Sequence, residues 1–422
     1  MEAERFVTFD LPPAVREIMA RLDRAGYEVF LVGGCVRDML RGTTPGDYDM
    51  TTSATPEEMH SVFAGYRTVD TGIRHGTVTV IVDGTPFEIT TYRVDGDYRD
   101  SRHPTEVRYT ASLQEDVARR DFTVNAIAYH PEKGLCDYFG GCEDLEKRVL
   151  RAVGDPRRRF REDALRILRA LRFSATLGFL LEEETAAAAR EAAPLLLRVS
   201  AERVREELTK LLLGDHASAV LSEFADILAV LFPRWYEWLL AGDDPAEHAL
   251  SRLGAWLSHV PKTPVARYTV FLSPFVRTEQ AAAQMDALRF DHRTRDRVTK
   301  LLSHRNDPCH ANIRAARRFL SSLGGEDALL LLDIRRSARL VDGESGEEQV
   351  LAKSIVRALL EEEGECSSVS DLAVRGGDLI ALGFSAGKEL GLTLRALLAA
   401  VADGRVKNEK TALLAYAQDE LK

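Results

Sequence analysis

Gly33-Gly34-Cys35-Val36-Arg37-Asp38 leaves this stretch of chain few ways to fold. It follows a β-like run, Tyr27-Glu28-Val29-Phe30-Leu31-Val32, and precedes a helix-like one, so it reads as a glycine turn between a strand and a helix. The free backbone N–H groups of such a turn can hold a polyphosphate. A short way on, Asp47-Tyr48-Asp49 sets two carboxylates at strand spacing, so both side chains leave the same face. Two hard anionic ligands side by side suit a Mg²⁺ site whose remaining oxygens come from substrate phosphates. Together the two clusters read as a site for nucleotidyl transfer.

A DxD alone also fits turn residues after Pro45-Gly46. The glycine turn ahead of it favours the metal reading. Glu88 lies in Phe87-Glu88-Ile89, flanked by apolar neighbours, where burying an unpaired carboxylate would be costly. It fits two roles: a partner for Arg93 or another strand residue, or a third acid supporting the metal pair.

A chain of 422 residues implies two to four domains, at about 150 residues each. The 45% hydrophobic fraction is that of a globular protein. Met1 to Ile18 carries Glu2, Glu4, Asp10 and Glu17 and no apolar core, so no signal peptide is expected. The apolar run around Leu329–Leu332 is far too short to cross a bilayer, and no membrane partner is expected. Cys35, Cys136, Cys142, Cys309 and Cys366 form no CxxC pair, which suggests neither a zinc site nor a disulfide framework and points to a reducing, cytoplasmic setting. The net charge of −10 is uneven: Lys147 to Arg172 is dense in arginine, with only Asp155, Glu162 and Asp163 opposing it. Such a stretch can attract phosphate locally, because charges beyond ~8 Å are screened; it also fits a solvated helix face.

From Glu28 to about Asp137 the pattern is mixed α/β. Tyr27–Val32 and Tyr48–Thr51 read as strands, the latter carrying the carboxylates, with helices starting at Val36 and Pro56. The runs 77–82 and 86–92 flank Asp83-Gly84, a hairpin signal. Asp95 to Glu106 reads as a mobile loop. From Arg159 onward nearly everything reads as helix. Ala164, Ile167, Leu168, Leu171 and Ala175 form an apolar stripe opposite Glu162, Asp163, Arg166 and Arg169. Further helices are expected over Glu182–Arg190, Ala201–Leu213 and Ala217–Leu240, with a linker or turn at Asp342–Glu348.

Arg119-Arg120-Asp121-Phe122-Thr123-Val124-Asn125-Ala126 combines two arginines with an aspartate that could N-cap a helix. Arginine forks suit triphosphate oxygens, and the aspartate could accept from ribose hydroxyls. Here the chain resembles a known family. GG-x-VRD, the DxD and RRDFTVNA, in this order and spacing, are similar to the class II CCA-adding tRNA nucleotidyltransferases and the related bacterial poly(A) polymerases. Phe139–Leu145 resembles the family's hinge motif, Arg159–Arg166 its EDxxR motif, and Ser200–Val204 with Glu207–Lys210 its helix-stabilising motif. The agreement is close over roughly the first half, and the helical remainder matches in character only.

The resemblance implies an α/β nucleotidyltransferase head with a polymerase-beta-like mixed sheet, followed by an all-α neck, body and tail. The expected ranges are 1–145, 146–215, 216–360 and 361–422. It implies catalysis by Asp47, Asp49 and Glu88, with Asp47 and Asp49 binding Mg²⁺ ions about 3.5–4 Å apart. Nucleotide binding falls to Gly33, Gly34, Arg37, Arg120, Asp121, Asn125, Glu162, Asp163, Arg166 and Arg169. In the family the EDxxR helix acts as a protein template, which here makes Asp163 and Arg166, three apart on one helix face, the readers of the base edge, with Glu162 positioning Arg166.

The implied activity is template-independent addition of CCA to the 3′ end of tRNA from CTP and ATP, releasing pyrophosphate. The partners would be the tRNA 3′ end, its acceptor and T arm, CTP and ATP, with a homodimer left open. Thr71–Val78 resembles the tRNA-enzyme version of that region, and the loop Tyr92–Pro104 looks complete, as full CCA addition requires in the family. No His-Asp dipeptide occurs, so the phosphohydrolase module of some longer relatives is not expected. The other readings are a poly(A) polymerase or an enzyme adding only the terminal adenosine, and a non-catalytic RNA-binding scaffold. The helical second half could also be mainly a dimer or partner surface.

Overall fold

Short β-branched and aromatic runs build one mixed sheet at the N-terminal end of the chain, and helices take over after residue 141. The computed structural model describes residues 7–70, 72–95, 107–241, 245–308, 310–362, 366 and 368–421. Thr71, Cys309 and the loop residues 96–106 lie outside the described residues, so the readings of that loop as mobile and complete fall there too.

In chain order come α1 (Pro13–Arg24), β1 (Val29–Val32), α2 (Gly34–Leu40), β2 (Met50–Thr52), α3 (Pro56–Val62), β3 (Arg67–Val69), β4 (Thr77–Val82) and β5 (Thr85–Thr91). They are followed by β6 (Arg93–Asp95), β7 (Val107–Tyr109), α4 (Leu113–Ala118), β8 (Ala128–His130) and β9 (Gly134–Cys136). Seven strands pair in the order β3-β4-β5-β2-β1-β8-β9, and among them only β2 and β5 run parallel. The β4–β5 hairpin turns at Asp83 and Gly84, both at positive φ (50° and 81°), the backbone of a type I′ turn that matches strand twist.

Alternation along the strands separates two apolar faces. Val29, Leu31, Met50, Val78, Val80 and Ile89 pack with Val15, Ile18 and Leu22 of α1 and Met59 of α3. Phe30, Val32 and Ala128 pack the other way, with Tyr92, Leu113, Val117 and Val153. The strand after the glycine turn starts later than the spacing suggested. Asp47 and Asp49 precede β2 instead of lying within it, since only the Asp49 carbonyl joins the pairing, accepting from the Val32 N–H at 3.1 Å.

The helical part of this unit comprises α5 (Gly141–Lys147), the short strand β10 (Val149–Leu150), α6 (Pro156–Glu162), α7 (Leu165–Leu177), β11 (Leu180–Leu181), α8 (Glu183–Ala192) and α9 (Ala201–Leu213). Ile167, Leu168, Leu171 and Ala175 of α7 are buried, as the stripe required. The helix read as continuous from Arg159 is broken at Asp163, whose backbone is extended (φ −142°, ψ 103°). Its carboxylate accepts from the Leu165 N–H at 3.1 Å, the local side-chain bond by which aspartate competes with helix. The run 217–240 likewise divides into α10 (Ala217–Glu223), α11 (Ala225–Leu231) and α12 (Pro233–Ala241), the last with a proline in its first turn.

Contacts divide the chain into two units, one taking the described residues to His216 with Phe224–Pro233, the other Ala217–Glu223 and those from Arg234 on. The second unit is helical. Trp235 packs against Phe271 and Phe275 near its start, and Leu372, Val374, Leu379, Leu397 and Leu413 form a separate cluster near its end. A turn at Asp342–Gly346 separates the helices Gly325–Val341 and Glu347–Glu361. Among the described residues no helix is long and apolar enough to cross a membrane.

α5 is pinned at its start. Asp137 accepts from the N–H groups of Gly141 and Cys142, both at 2.8 Å. A Cβ on Gly141 would stand 2.2 Å from the Thr123 carbonyl oxygen and 2.7 Å from Ile127 Cγ1. Gly141→Ala is therefore expected to destabilise the fold by roughly 1–3 kcal/mol, and Asp137→Ala by about 1 kcal/mol through the lost cap. Urea denaturation midpoints of the two variants measure this.

Candidate active site

The glycine turn sets one wall of the site. Gly33, at φ 84° and ψ −134°, occupies a region closed to side-chain-bearing residues, and a Cβ there would lie 3.0 Å from Arg120 Nη1. The bare backbone thus lets a guanidinium approach the turn directly. Arg120 Nε is buried with no hydrogen-bond partner, and among the described residues the side chain forms no ion pair. Burial pulls the Arg120 pKa down, while Asp116, Asp121 and Asp49 act to keep it charged.

The acids lie within reach of its charge. Burial pushes the Asp49 carboxyl up to about 6, with Asp47 and Glu88 adding to the rise and Arg120 opposing it. Asp47, Asp49 and Glu88 therefore share one electrostatic neighbourhood with Arg120. Glu88 joins it through the sheet: β5 runs parallel to β2 with Ile89 opposite Met50, and one step back in that register brings Glu88 beside Asp49. The premise that Glu88 is buried is corrected. It is exposed and alternates with buried Phe87 and Ile89. Among the described residues no three such side chains are arranged to hold a metal ion by themselves, but an Asp49 that resists ionisation beside Asp47 and Glu88 suits a divalent cation whose remaining ligands come from elsewhere.

The Arg37 guanidinium is 8% exposed and committed. Nε bonds Asp38 at 2.9 Å, and Nη1 bonds Asn125 Oδ1 at 2.8 Å. Asn125 Nδ2 in turn donates to Asp121 Oδ1 at 3.1 Å. Asp121 also accepts from the Phe122 N–H at 2.8 Å and from Arg169 Nε and Nη2 at 2.8 and 2.6 Å. Burial would raise the Asp121 carboxyl, but Arg169 and Asn125 outweigh it and hold it at about 2. This corrects two expectations. Asp121 is not an N-cap, since the short 3₁₀ turn Thr123–Asn125 starts after Phe122 with no side-chain cap. Nor is it free for a ribose, because a carboxylate's four acceptor sites are filled.

The residues from the end of α6 onward behave in the same way. Glu162 accepts from Arg158, Arg159 and Arg166, the last at 3.0 Å. Arg166 Nη2 also donates to the Arg119 carbonyl at 2.8 Å. Asp163 is paired with Arg203 at 2.8 Å. Because α6 ends at Glu162 and α7 begins at Leu165, Asp163 and Arg166 do not share a helix face as the spacing suggested. The guanidinia of Arg37, Arg169 and Arg172 lie 5.2, 5.5 and 3.8 Å from the Phe173 ring. Glu207 sits 2.9 Å from Arg172.

The basic stretch is largely neutralised by acids from elsewhere. Lys147 pairs with Glu143, Arg151 with Asp144 and Glu182, and Arg157 with Glu184 and Glu191. Residues that the sequence reading passed over include Thr51, Asp116, Phe173 and Arg203. For Asp116 a signal existed: an acid three and four positions ahead of a pair of arginines.

Comparison with known proteins finds related chains along nearly the whole length. Residues 29–151 match the family "Poly A polymerase head domain", 178–239 match "Probable RNA and SrmB- binding site of polymerase A", and 266–417 match tRNA nucleotidyltransferase domain 2. A CCA-adding enzyme of Leuconostoc mesenteroides is 52% identical over 204 residues, 48% of this chain and 50% of that protein. At that level of identity the chain spans about half the length of the curated relatives it matches. A CCA-adding enzyme of Enterococcus faecalis is 36% identical over 417 residues, 97% of this chain and 95% of the relative. The structure of the Bacillus stearothermophilus CCA-adding enzyme in complex with CTP is similar with a TM-score of 0.75 and 30% identity, covering 97% of this chain and 98% of that one.

The raised Asp49 carboxyl has a consequence for stability. Its folded value of about 6 lies above the ordinary 3.8, so its ionisation disfavours the metal-free fold. The stability it allows is complete below pH about 4 and is lost as pH rises through about 6, on the order of 1–3 kcal/mol. With EDTA present, Asp49→Asn is expected to melt higher than the parent at pH 7.5, and the gain should vanish at pH 4. Thermal melts at the two pH values check this; a gain of equal size at both contradicts it.

Proposed function

The chain belongs to the family of CCA-adding enzymes, and on that premise we propose that it adds CCA to the 3′ end of tRNA from CTP and ATP, without a nucleic-acid template and with release of pyrophosphate. The observation that carries this reading is the half-buried Arg120 guanidinium, whose buried Nε lacks a hydrogen-bonding partner and whose Nη1 lies against the Gly33 turn, within the electrostatic reach of Asp49. A triphosphate gives the guanidinium its anion. The cation that travels with it relieves the acids.

Asp47 and Asp49 would hold Mg²⁺, with Glu88 in support, and the bound metal supplies charge neutralisation on the phosphates and a more acidic attacking hydroxyl. The chain's own residues do the rest. Gly33 and Gly34 let phosphate oxygens approach the backbone, and Arg120 binds them. Arg37 stiffens the turn from behind through Asn125 and Asp121. Glu162 holds Arg166 at the edge where a base would be read, and Asp163 offers the acceptor. A base edge needs one acceptor and a fork of donors, and reading it with this pair would have Asp163 and Arg166 exchange their present bonds to Arg203, Glu162 and the Arg119 carbonyl. We assign the head to residues 1–145, the neck to 146–215, the body to 216–360 and the tail to 361–422. The helical parts would contact the acceptor and T arm of tRNA, a reading supported by the family matches over 178–239 and 266–417.

Radiolabelled CTP and ATP with a tRNA lacking its 3′ end test the proposal. Two cytidines and then one adenosine are expected, and incorporation of adenosine alone would reject full CCA addition. Asp47→Ala should abolish incorporation while leaving tRNA binding in place. Arg166→Ala should lower the preference for CTP over UTP by about ten- to a hundredfold.

A further inference from the structure

We propose that Asp116 is a positioning residue that ties the carboxylate-bearing segment to the arginines handling the nucleotide. The inference rests on the nucleotidyl-transfer reading of the site. Asp116 lies near the end of α4 and is fully buried. One carboxylate oxygen accepts from Thr51 Oγ1 at 2.9 Å. The other accepts from the Arg93 N–H at 3.3 Å and from Arg119 Nε and Nη2 at 3.0 and 2.8 Å.

These partners lead in two directions. Thr51 stands in β2, two residues after Asp49. Its hydroxyl also lies 3.2 Å from the Thr90 carbonyl, but a hydroxyl has one proton, and the charged oxygen is nearer. In the other direction, Arg119 precedes Arg120 in the chain and its carbonyl accepts from Arg166 Nη2 at 2.8 Å. Asp116 therefore spans from the metal-binding segment to both the phosphate-binding and the base-reading guanidinium. It is also the foremost of the carboxylates whose charge favours the Arg120 guanidinium against its desolvation. A buried carboxylate is held only where partners offset its desolvation, and here Thr51 and Arg119, two of its partners, neighbour candidate site residues in the chain.

Losing the link would leave each group present but misplaced, and misplacement of about 1 Å can cost two orders of magnitude in rate. Thr51→Val removes the tether at nearly constant shape, Thr51→Ser keeps the hydroxyl, and Asp116→Asn removes the charge. For Thr51→Val and Asp116→Asn, kcat for CTP incorporation should fall about tenfold or more with the KM for tRNA unchanged. The CTP-to-UTP ratio of kcat/KM should fall about fivefold. Thr51→Ser should keep parent values of both. A merely structural Asp116 would lower Tm alone, so assays run below each variant's Tm on protein verified as folded by circular dichroism.

Unchanged kcat and CTP-to-UTP ratio in the folded variants would overturn the inference, as would a Thr51→Ser enzyme as impaired as Thr51→Val. Should Asp116→Asn not fold, the Thr51 pair decides. A parent protein that incorporates neither nucleotide would instead reject the proposed function. In that event calorimetric affinities for CTP and UTP in the same variants decide the positioning role, and an unchanged ratio refutes it.

Discussion

The Asp121 carboxylate is the interaction on which the rest of the site depends. It is buried in the head, yet its strongest partner, Arg169, comes from α7, 48 positions further on. Through Asn125 it also reaches Arg37 behind the glycine turn. One acid therefore fixes the glycine turn relative to α7, the helix that carries Arg166. Removing a partner of such a group would strand an uncompensated charge, which costs more than a surface ion pair contributes.

Around this anchor the site keeps an unresolved balance of charge. Asp47, Asp49 and Glu88 repel one another, and Arg120 is drawn to them without bonding them. A protein built only for stability would pair these groups. A ligand carrying both signs, such as a polyphosphate with its cation, would settle that balance. The strain on the empty fold is the counterpart of affinity for the filled one.

Local chemistry made much of this legible in the sequence. Alternating β-branched residues and Asp83-Gly84 marked the hairpin, and the strand–glycine–helix run marked the phosphate turn, because both signals lie within a few residues. The roles of Asp121 and Asp163 were not legible. Their partners, Arg169 and Arg203, stand 48 and 40 positions away, and only the packing of α7 and α9 brings them close. The late start of β2 escaped for a related reason: pairing of the Asp49 carbonyl, not the identity of Asp47, decides where the ladder begins. The family motifs named the candidate residues, while the tertiary structure decided which of them are already engaged by partners.

The arginine-dense stretch from Lys147 to Arg172 looks, on paper, like a magnet for a polyanion. With Glu143, Asp144, Glu182, Glu184 and Glu191 folded against it, its far field is quiet. An RNA diffusing past would feel little pull from this side and would be recognised there only on touching, by directed donors at close range.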